Sequence, residues 1–182
     1  TASSGSGKPG AEAGAQEVAV RWPALSARGI VVRHGAPGSH AAVADVDLDL
    51  WAGRAVGLVG ESAAGKSSLA RALAGHLVPA AGEITVAGSP LDRRVRGAAA
   101  RANRRRVQML FQDAGASLNP RQRVGEALAE AAGRNASRPV EALLEEVGLE
   151  AGLAARYPHA LSGGQRQRVA LARCLAADPS VL

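Results

Sequence analysis

Gly60, Gly65, Lys66 and Ser67 have the types and the spacing to hold a polyphosphate. They stand in the pattern G-x-x-x-x-G-K-[ST], within Gly60-Glu61-Ser62-Ala63-Ala64-Gly65-Lys66-Ser67-Ser68. Glycines let a backbone wrap close to a phosphate without a Cβ in the way. Such a turn aims successive N–H groups inward, and the helix that follows adds partial positive charge at its N-terminus. A lysine in this place reaches the β- and γ-phosphates as a compact charge, and a serine hydroxyl is a ligand for Mg²⁺. Of the 22 basic residues only Lys8 and Lys66 are lysines, and all the others are arginines. Where plain charge suffices this chain uses arginine, so Lys66 calls for a specific reason. The bland alternative is a glycine-rich strand-to-helix turn with a solvated lysine.

A second group stands at Leu161-Ser162-Gly163-Gly164-Gln165. Ser162 is a good N-cap, and two glycines after it leave the first-turn N–H groups open to an anion. By themselves these residues fit a plain capped helix as well as a ligand-binding one.

The elements that must carry these groups follow from periodicity. Ala55-Val56-Gly57-Leu58-Val59 is apolar throughout, the pattern of a strand covered on both faces, and it runs straight into the glycine loop. After the loop, Leu69, Leu73 and Leu77 make one stripe of a helix over 68–77. Val46-Asp47-Leu48-Asp49-Leu50 alternates strictly, which predicts a peripheral antiparallel strand with one wet face. Short strands are expected at 29–33 and 83–87, and a buried one at 107–111. Helices are expected at 93–106, 139–147 and 163–176. Strands alternating with helices point to an α/β class with a parallel core sheet. Residues 1–17 are Ser, Gly, Ala and Pro with little to bury, and read as a flexible tail or linker ahead of one domain at 18–182.

Composition bounds the rest. With 182 residues, 47% hydrophobic and 21% charged, the chain is long enough and apolar enough for one globular core. The single cysteine, Cys174, excludes an internal disulfide framework and a Cys-rich zinc site, and fits a reducing compartment. No apolar run approaches the ~18–20 residues of a membrane helix, and no signal peptide opens the chain. Net charge is +6, with Arg93, Arg94, Arg96, Arg101, Arg104, Arg105 and Arg106 in one dense run. Such a run suits nucleic acid, but aromatics are only 2% and no stacking platform interleaves it, so a solvated face is the favoured reading.

Taken together, the motifs strongly resemble the nucleotide-binding subunits of ABC transporters. Gly60 to Ser68 matches the family's Walker A motif, and Leu161 to Gln165 its LSGGQ signature letter for letter. Between them, Val107-Gln108-Met109-Leu110-Phe111-Gln112-Asp113 is similar to the strand and Q-loop, with Gln112 as the glutamine. The stretch 111–121, with Tyr157-Pro158-His159 ahead of the signature, resembles the peptide and nickel importers. The resemblance implies a P-loop NTPase: a parallel core sheet, an antiparallel β edge and a helical subdomain. It implies ATP and Mg²⁺ as cofactors. Gly60, Glu61, Ser62, Ala63, Ala64, Gly65, Lys66, Ser67 and Ser68 would hold the phosphates, with Lys66 and Gln112 catalytic and Ser67 and Gln112 at the metal. Leu161, Ser162, Gly163, Gly164 and Gln165 would meet the ATP held by an opposite subunit in a head-to-tail dimer. The implied partners are that second ATP-binding subunit, transmembrane permease subunits and a solute-binding protein. The implied place is the cytoplasmic face of the plasma (inner) membrane.

Departures from the pattern set further expectations. Ala63 stands where the family has a third glycine, Ser68 where it has threonine, and Ala114 where a proline is frequent. His34, in Arg33-His34-Gly35, stands where an aromatic ring stacks on adenine. The sequence stops at Asp178-Pro179-Ser180-Val181-Leu182, which looks like the opening of the Walker B strand. The chain thus reads as a fragment lacking Walker B, D-loop and switch histidine, with exposed apolar edges. Its parent would hydrolyse ATP and the fragment alone would not. The alternatives are a non-transport ABC-type ATPase acting on nucleic acid, or a nucleotide-binding remnant that does not hydrolyse.

Overall fold

The computed structural model describes residues 22–35, 40–91, 97–112, 117–133 and 136–182. The tail at 1–17, the Arg93, Arg94 and Arg96 part of the basic run, and residues 113–116 after Gln112 lie outside the described residues.

The first layer is a four-stranded sheet of order β2-β1-β3-β4, with β1 at Leu25–Arg33, β2 at Ala41–Leu50, β3 at Ala81–Val86 and β4 at Ser89–Pro90. All its pairings are antiparallel. In β1 the buried positions run Leu25, Ala27, then Ile30, Val32. The change from odd to even marks a bulge, where the register slips between Ala27 and Ile30 and Gly29 takes a φ of 59°. Gly82 of β3, at a φ of 90°, crosses this bulge so closely that a Cβ on it would stand 2.4 Å from the Gly29 carbonyl oxygen. β2 is the expected edge strand. Its Asp47 carboxylate accepts the Gly29 N–H at 2.7 Å, and Asp49 pairs with Arg28 at 2.7 Å. The hydrogen bond from the Arg28 guanidinium holds the Asp49 carboxyl below the usual carboxylate range.

Helix α1 (Lys66–Leu73) lays Leu69, Ala72 and Leu73 on this sheet, closing a core with Ile30, Val32, Val43, Ile84, Val86 and Val107. It is shorter than its leucine stripe suggests, because Gly75 turns left-handed at a φ of 65° and ends it. A second core is helical. Here α3 (Val124–Ala132), α4 (Val140–Glu146) and α5 (Gly163–Ala176) bury Val124, Leu128, Leu143, Leu144, Val169 and Ala172. Between the cores, α2 (Gly97–Arg106) turns two of its arginines onto backbone carbonyls. Arg105 donates to Ala131 and Ala132 at the end of α3, at 2.9 and 2.8 Å. Arg106 donates to the Val86 carbonyl at the end of β3. The Ala131 and Ala132 carbonyls end α3, where the helix offers them no N–H, so the Arg105 guanidinium satisfies them.

The α/β class, the antiparallel edge and the helical subdomain are as expected, but two strands differ. Residues 55–59 form no strand; Val56 is 50%, Leu58 42% and Val59 96% exposed. A strand buried on both faces needs a neighbour on each edge and a layer on each face. Local composition signals the apolarity without supplying those neighbours, and among the described residues nothing pairs along this stretch. The expected strand covered on both faces is therefore not formed, and its apolar side chains stand exposed. The expected strand at 107–111 is reduced to Val107, which makes an isolated parallel bridge to Val181, supported by the Gln108 N–H to Val181 carbonyl bond of 3.0 Å. That bridge is the parallel pairing seen among the described residues. Helix α3 was not anticipated, although Val124, Leu128 and Ala132 repeat at four-residue spacing and Glu126 accepts the Arg123 N–H at 2.9 Å.

Candidate functional site

The glycine loop is shaped by the edge strand beneath it. Gly65 is the N-cap of α1, buried, with a φ of 80°. A Cβ on Gly65 would stand 2.0 Å from the Ala42 carbonyl oxygen of β2, so only glycine lets the loop lie down there. Helix α1 carries no side-chain cap and no acid in its first turn, which leaves its N-terminal N–H groups for an outside acceptor. The Lys66 ammonium folds back over the loop and donates to the carbonyls of Gly60 at 2.7 Å and Glu61 at 2.5 Å. A cation and a set of unclaimed N–H donors thus meet at one turn, the arrangement that suits a phosphate chain.

Ala63 has a φ of 65°, the left-handed region that costs a non-glycine residue about 1–2 kcal/mol. The departure noted in the sequence is therefore a strained position. We expect Ala63→Gly to raise the thermal midpoint by about 1–3 °C, the relief exceeding the added freedom of the unfolded chain. Differential scanning calorimetry reads this directly. A lower midpoint would mean that the Ala63 methyl contributes more than its backbone strain costs.

Ser67 and Gln112 line the same cavity of about 610 Å³, together with Arg71, Phe111, Ser117 and Arg173. The structure so gathers the two residues expected at a metal, one from α1 and one from the segment after Val107. Arg71 and Arg173 were missed by sequence reasoning. Arg71 sits one turn after Ser67 on α1, a spacing that could have pointed to it. Arg173 of α5 donates to the Ser117 carbonyl, which brings the second core against this cavity. His34 leaves the end of β1 and places Nε2 2.8 Å from the Ser68 hydroxyl. Cys174 is buried beside the cavity wall, its Sγ 3.8 Å from the Met109 carbonyl, and burial pushes its thiol pKa up, away from nucleophilic chemistry.

Residues 161–165 are absent from the lining of that cavity. Leu161 is buried and anchors the turn, while Ser162, Gly163 and Gly164 are exposed. The Ser162 hydroxyl accepts the Gln165 N–H at 3.2 Å, and the Gln165 side chain accepts the Ser162 N–H at 2.9 Å. This reciprocal cap fixes the start of α5 and leaves the Ser162 proton pointing elsewhere. Gly163 and Gly164 have open space where a Cβ would stand and no positive φ. Among the described residues nothing requires glycine there.

Residues 43–182 match the sequence profile described as ABC transporter. A putative peptide import ATP-binding protein of Brucella abortus is 47% identical over 148 residues, which are 78% of this chain and 44% of that protein. The glutathione import ATP-binding protein GsiA of Escherichia coli is 45% identical over 148 residues, 78% of this chain and 24% of that protein. The chain spans less than half the length of these curated relatives. Among solved structures, cbiO1 from Clostridium perfringens, part of the ABC transporter complex cbiONQ, aligns with a TM-score of 0.70 at 22% identity, covering 86% of this chain and 62% of that one. The cassette MJ0796, described as dimeric and bacterial, aligns with a TM-score of 0.70 at 25% identity, covering 85% of this chain and 70% of that one.

Proposed function

The chain belongs to the ABC transporter family, and on that premise we propose that it carries the ATP-binding site of a subunit that powers the import of peptides or related solutes. The observation that carries this reading is the turn at Gly60–Lys66, where an ammonium and the uncapped N-terminus of α1 converge. The names of the relatives, peptide import and glutathione import ATP-binding proteins, favour the substrate class.

In this reading residues 60–68 wrap the phosphates of ATP. Lys66 leaves the Gly60 and Glu61 carbonyls for the β- and γ-phosphate oxygens, so an existing pair of hydrogen bonds is exchanged for two with charged acceptors. Among the described residues no group of three or more His, Cys, Asp or Glu gathers as a metal cluster. The Ser67 hydroxyl and the Gln112 amide oxygen in one cavity are instead the hard oxygen donors that suit Mg²⁺ held jointly with phosphates. Bound there, Mg²⁺ would neutralise charge developing on the phosphates. Gln112 would also orient the attacking water and sense the membrane partner.

The signature works toward a second copy of such a site. The two glycines that no described residue requires would be explained by close approach from outside, and the capped Ser162 has its proton to give. We infer a head-to-tail pair in which Ser162, Gly163 and Gly164 touch the γ-phosphate of ATP on the opposite subunit. The pair would sit beneath transmembrane permease subunits, fed by a solute-binding protein, at the cytoplasmic face of the plasma (inner) membrane. Among the described residues no helix is long and apolar enough to cross a membrane. The basic run is less suited to nucleic acid than its sequence suggests, since Arg105 and Arg106 spend their donors on backbone carbonyls.

The test is Ser162→Arg in the full-length protein. It should bind ATP as the unaltered protein does and fail to dimerise with ATP. Light scattering that shows unchanged ATP-driven dimerisation would remove the signature from the interface.

A further inference from the structure

We propose that His34 and Ser68 form a hydrogen-bond relay to the phosphate chain of the bound nucleotide, so that His34 is a positioning residue for the phosphates. The proposal rests on the nucleotide reading of the glycine loop. His34 is exposed at the end of β1, and its Nε2 lies 2.8 Å from the Ser68 hydroxyl. Ser68 is the third residue of α1, on the turn whose N–H groups have no acceptor in the helix and no side-chain cap. Its hydroxyl belongs to the same first turn as those N–H groups, and in the proposal it is one of the donors that meet the phosphates.

A hydroxyl has one proton and two lone pairs. If Nε2 is bare, the Ser68 proton points to the ring, and the hydroxyl shows only lone pairs to an approaching anion. If Nε2 carries the proton, it donates to Oγ, and the Ser68 proton is released for a phosphate oxygen. An anion on the loop stabilises only the second arrangement, Nε2–H to Oγ–H to phosphate oxygen. Binding therefore selects the ring form with hydrogen on Nε2. The selection is a proton relocation on an exposed ring in exchange with water, and no covalent bond of the nucleotide changes. This role uses the edge of the ring, whereas stacking on adenine would use its face.

Calorimetry on the full chain separates the two roles. The variants are His34→Phe, which keeps a ring face and loses Nε2, Ser68→Ala, and the pair together. Each single variant should weaken Mg²⁺-ADP by about 10-fold or more, a hydrogen bond to a charged group, and the pair should lose no more than either alone. Inorganic tripolyphosphate, which has no base to stack, should lose the same factor with His34→Phe. In ¹⁵N spectra of the unaltered chain, ADP should move the His34 Nε2 signal to its protonated, pyrrole-type position. His34→Phe with unaltered affinity would overturn the relay. So would a loss toward ADP without one toward tripolyphosphate, or fully additive losses in the pair. Lys66→Ala serves as the reference: if it binds nucleotide normally, the nucleotide reading itself falls, whereas its failure beside a normal His34→Phe removes the relay alone.

Discussion

Lys66→Ala should weaken nucleotide binding by about 100-fold or more and abolish the ATP turnover proposed for the full-length protein. The magnitude follows from the geometry. The Lys66 ammonium makes two hydrogen bonds, at 2.7 and 2.5 Å, to carbonyls of its own loop, so it is already stationed where phosphates would lie. Little side-chain entropy remains to be lost when a ligand takes over those bonds. Each hydrogen bond to a charged group contributes roughly 1.5–3 kcal/mol, and two of them correspond to about 100-fold or more in affinity. Lys66→Arg should not restore the function, because a planar fork cannot replace a compact charge inside a turn closed by Gly60 and Glu61. Titration calorimetry checks the affinity and phosphate release the turnover. Retained turnover in Lys66→Ala would end the assignment of this loop as the phosphate site.

The parts of this site that were legible in the sequence are those whose cause is local. The cap of α5 is one, since Ser162 and Gln165 are three residues apart and the helix runs Gly163–Ala176 as the apolar periodicity requires. The edge strand is another, because the alternation of aspartates with Val46, Leu48 and Leu50 needs only one covered face. The start of α1 at Lys66 follows from the glycine that must precede it. What could not be read depends on distant neighbours. The apolarity of 55–59 is as consistent with an exposed edge as with a central strand, and pairing across the chain decides between them. The arginine run reads as one solvated face until the fold brings carbonyls of α3 and β3 to Arg105 and Arg106. His34 is similar. An imidazole after a strand suggests a ring face to stack on, and only the fold brings Ser68 to its edge. The third glycine of the loop is the opposite case. The sequence noted the alanine there, and the left-handed φ of Ala63 gives that departure its physical meaning.

Gly65→Ala tests whether the loop owes its shape to the strand beneath it. The Cβ of an alanine would fall 2.0 Å from the Ala42 carbonyl oxygen, 3.0 Å from the Ala42 carbonyl carbon and 3.2 Å from the Val43 Cγ2. Two of these three atoms are backbone, and Val43 is buried in the first core, so no flexible side chain can swing away. The left-handed φ adds its own penalty for any residue with a Cβ. Relief requires that the loop lift from β2 or that β2 move from β1, and either separates Leu69 from the sheet. The expected cost is about 3 kcal/mol or more, which for a chain of this size lowers the thermal midpoint by roughly 6–12 °C. Nucleotide binding should fall with it, because the lifted turn no longer aims its N–H groups at one point. Circular dichroism melts and calorimetry at a temperature where the variant is folded separate the two effects. A midpoint within about 2 °C of the unaltered chain would show that β2 does not constrain the loop. Gly163 and Gly164 contrast with it: space is open around them and no described residue demands a glycine there, whereas Gly65 answers to a contact already made within the fold.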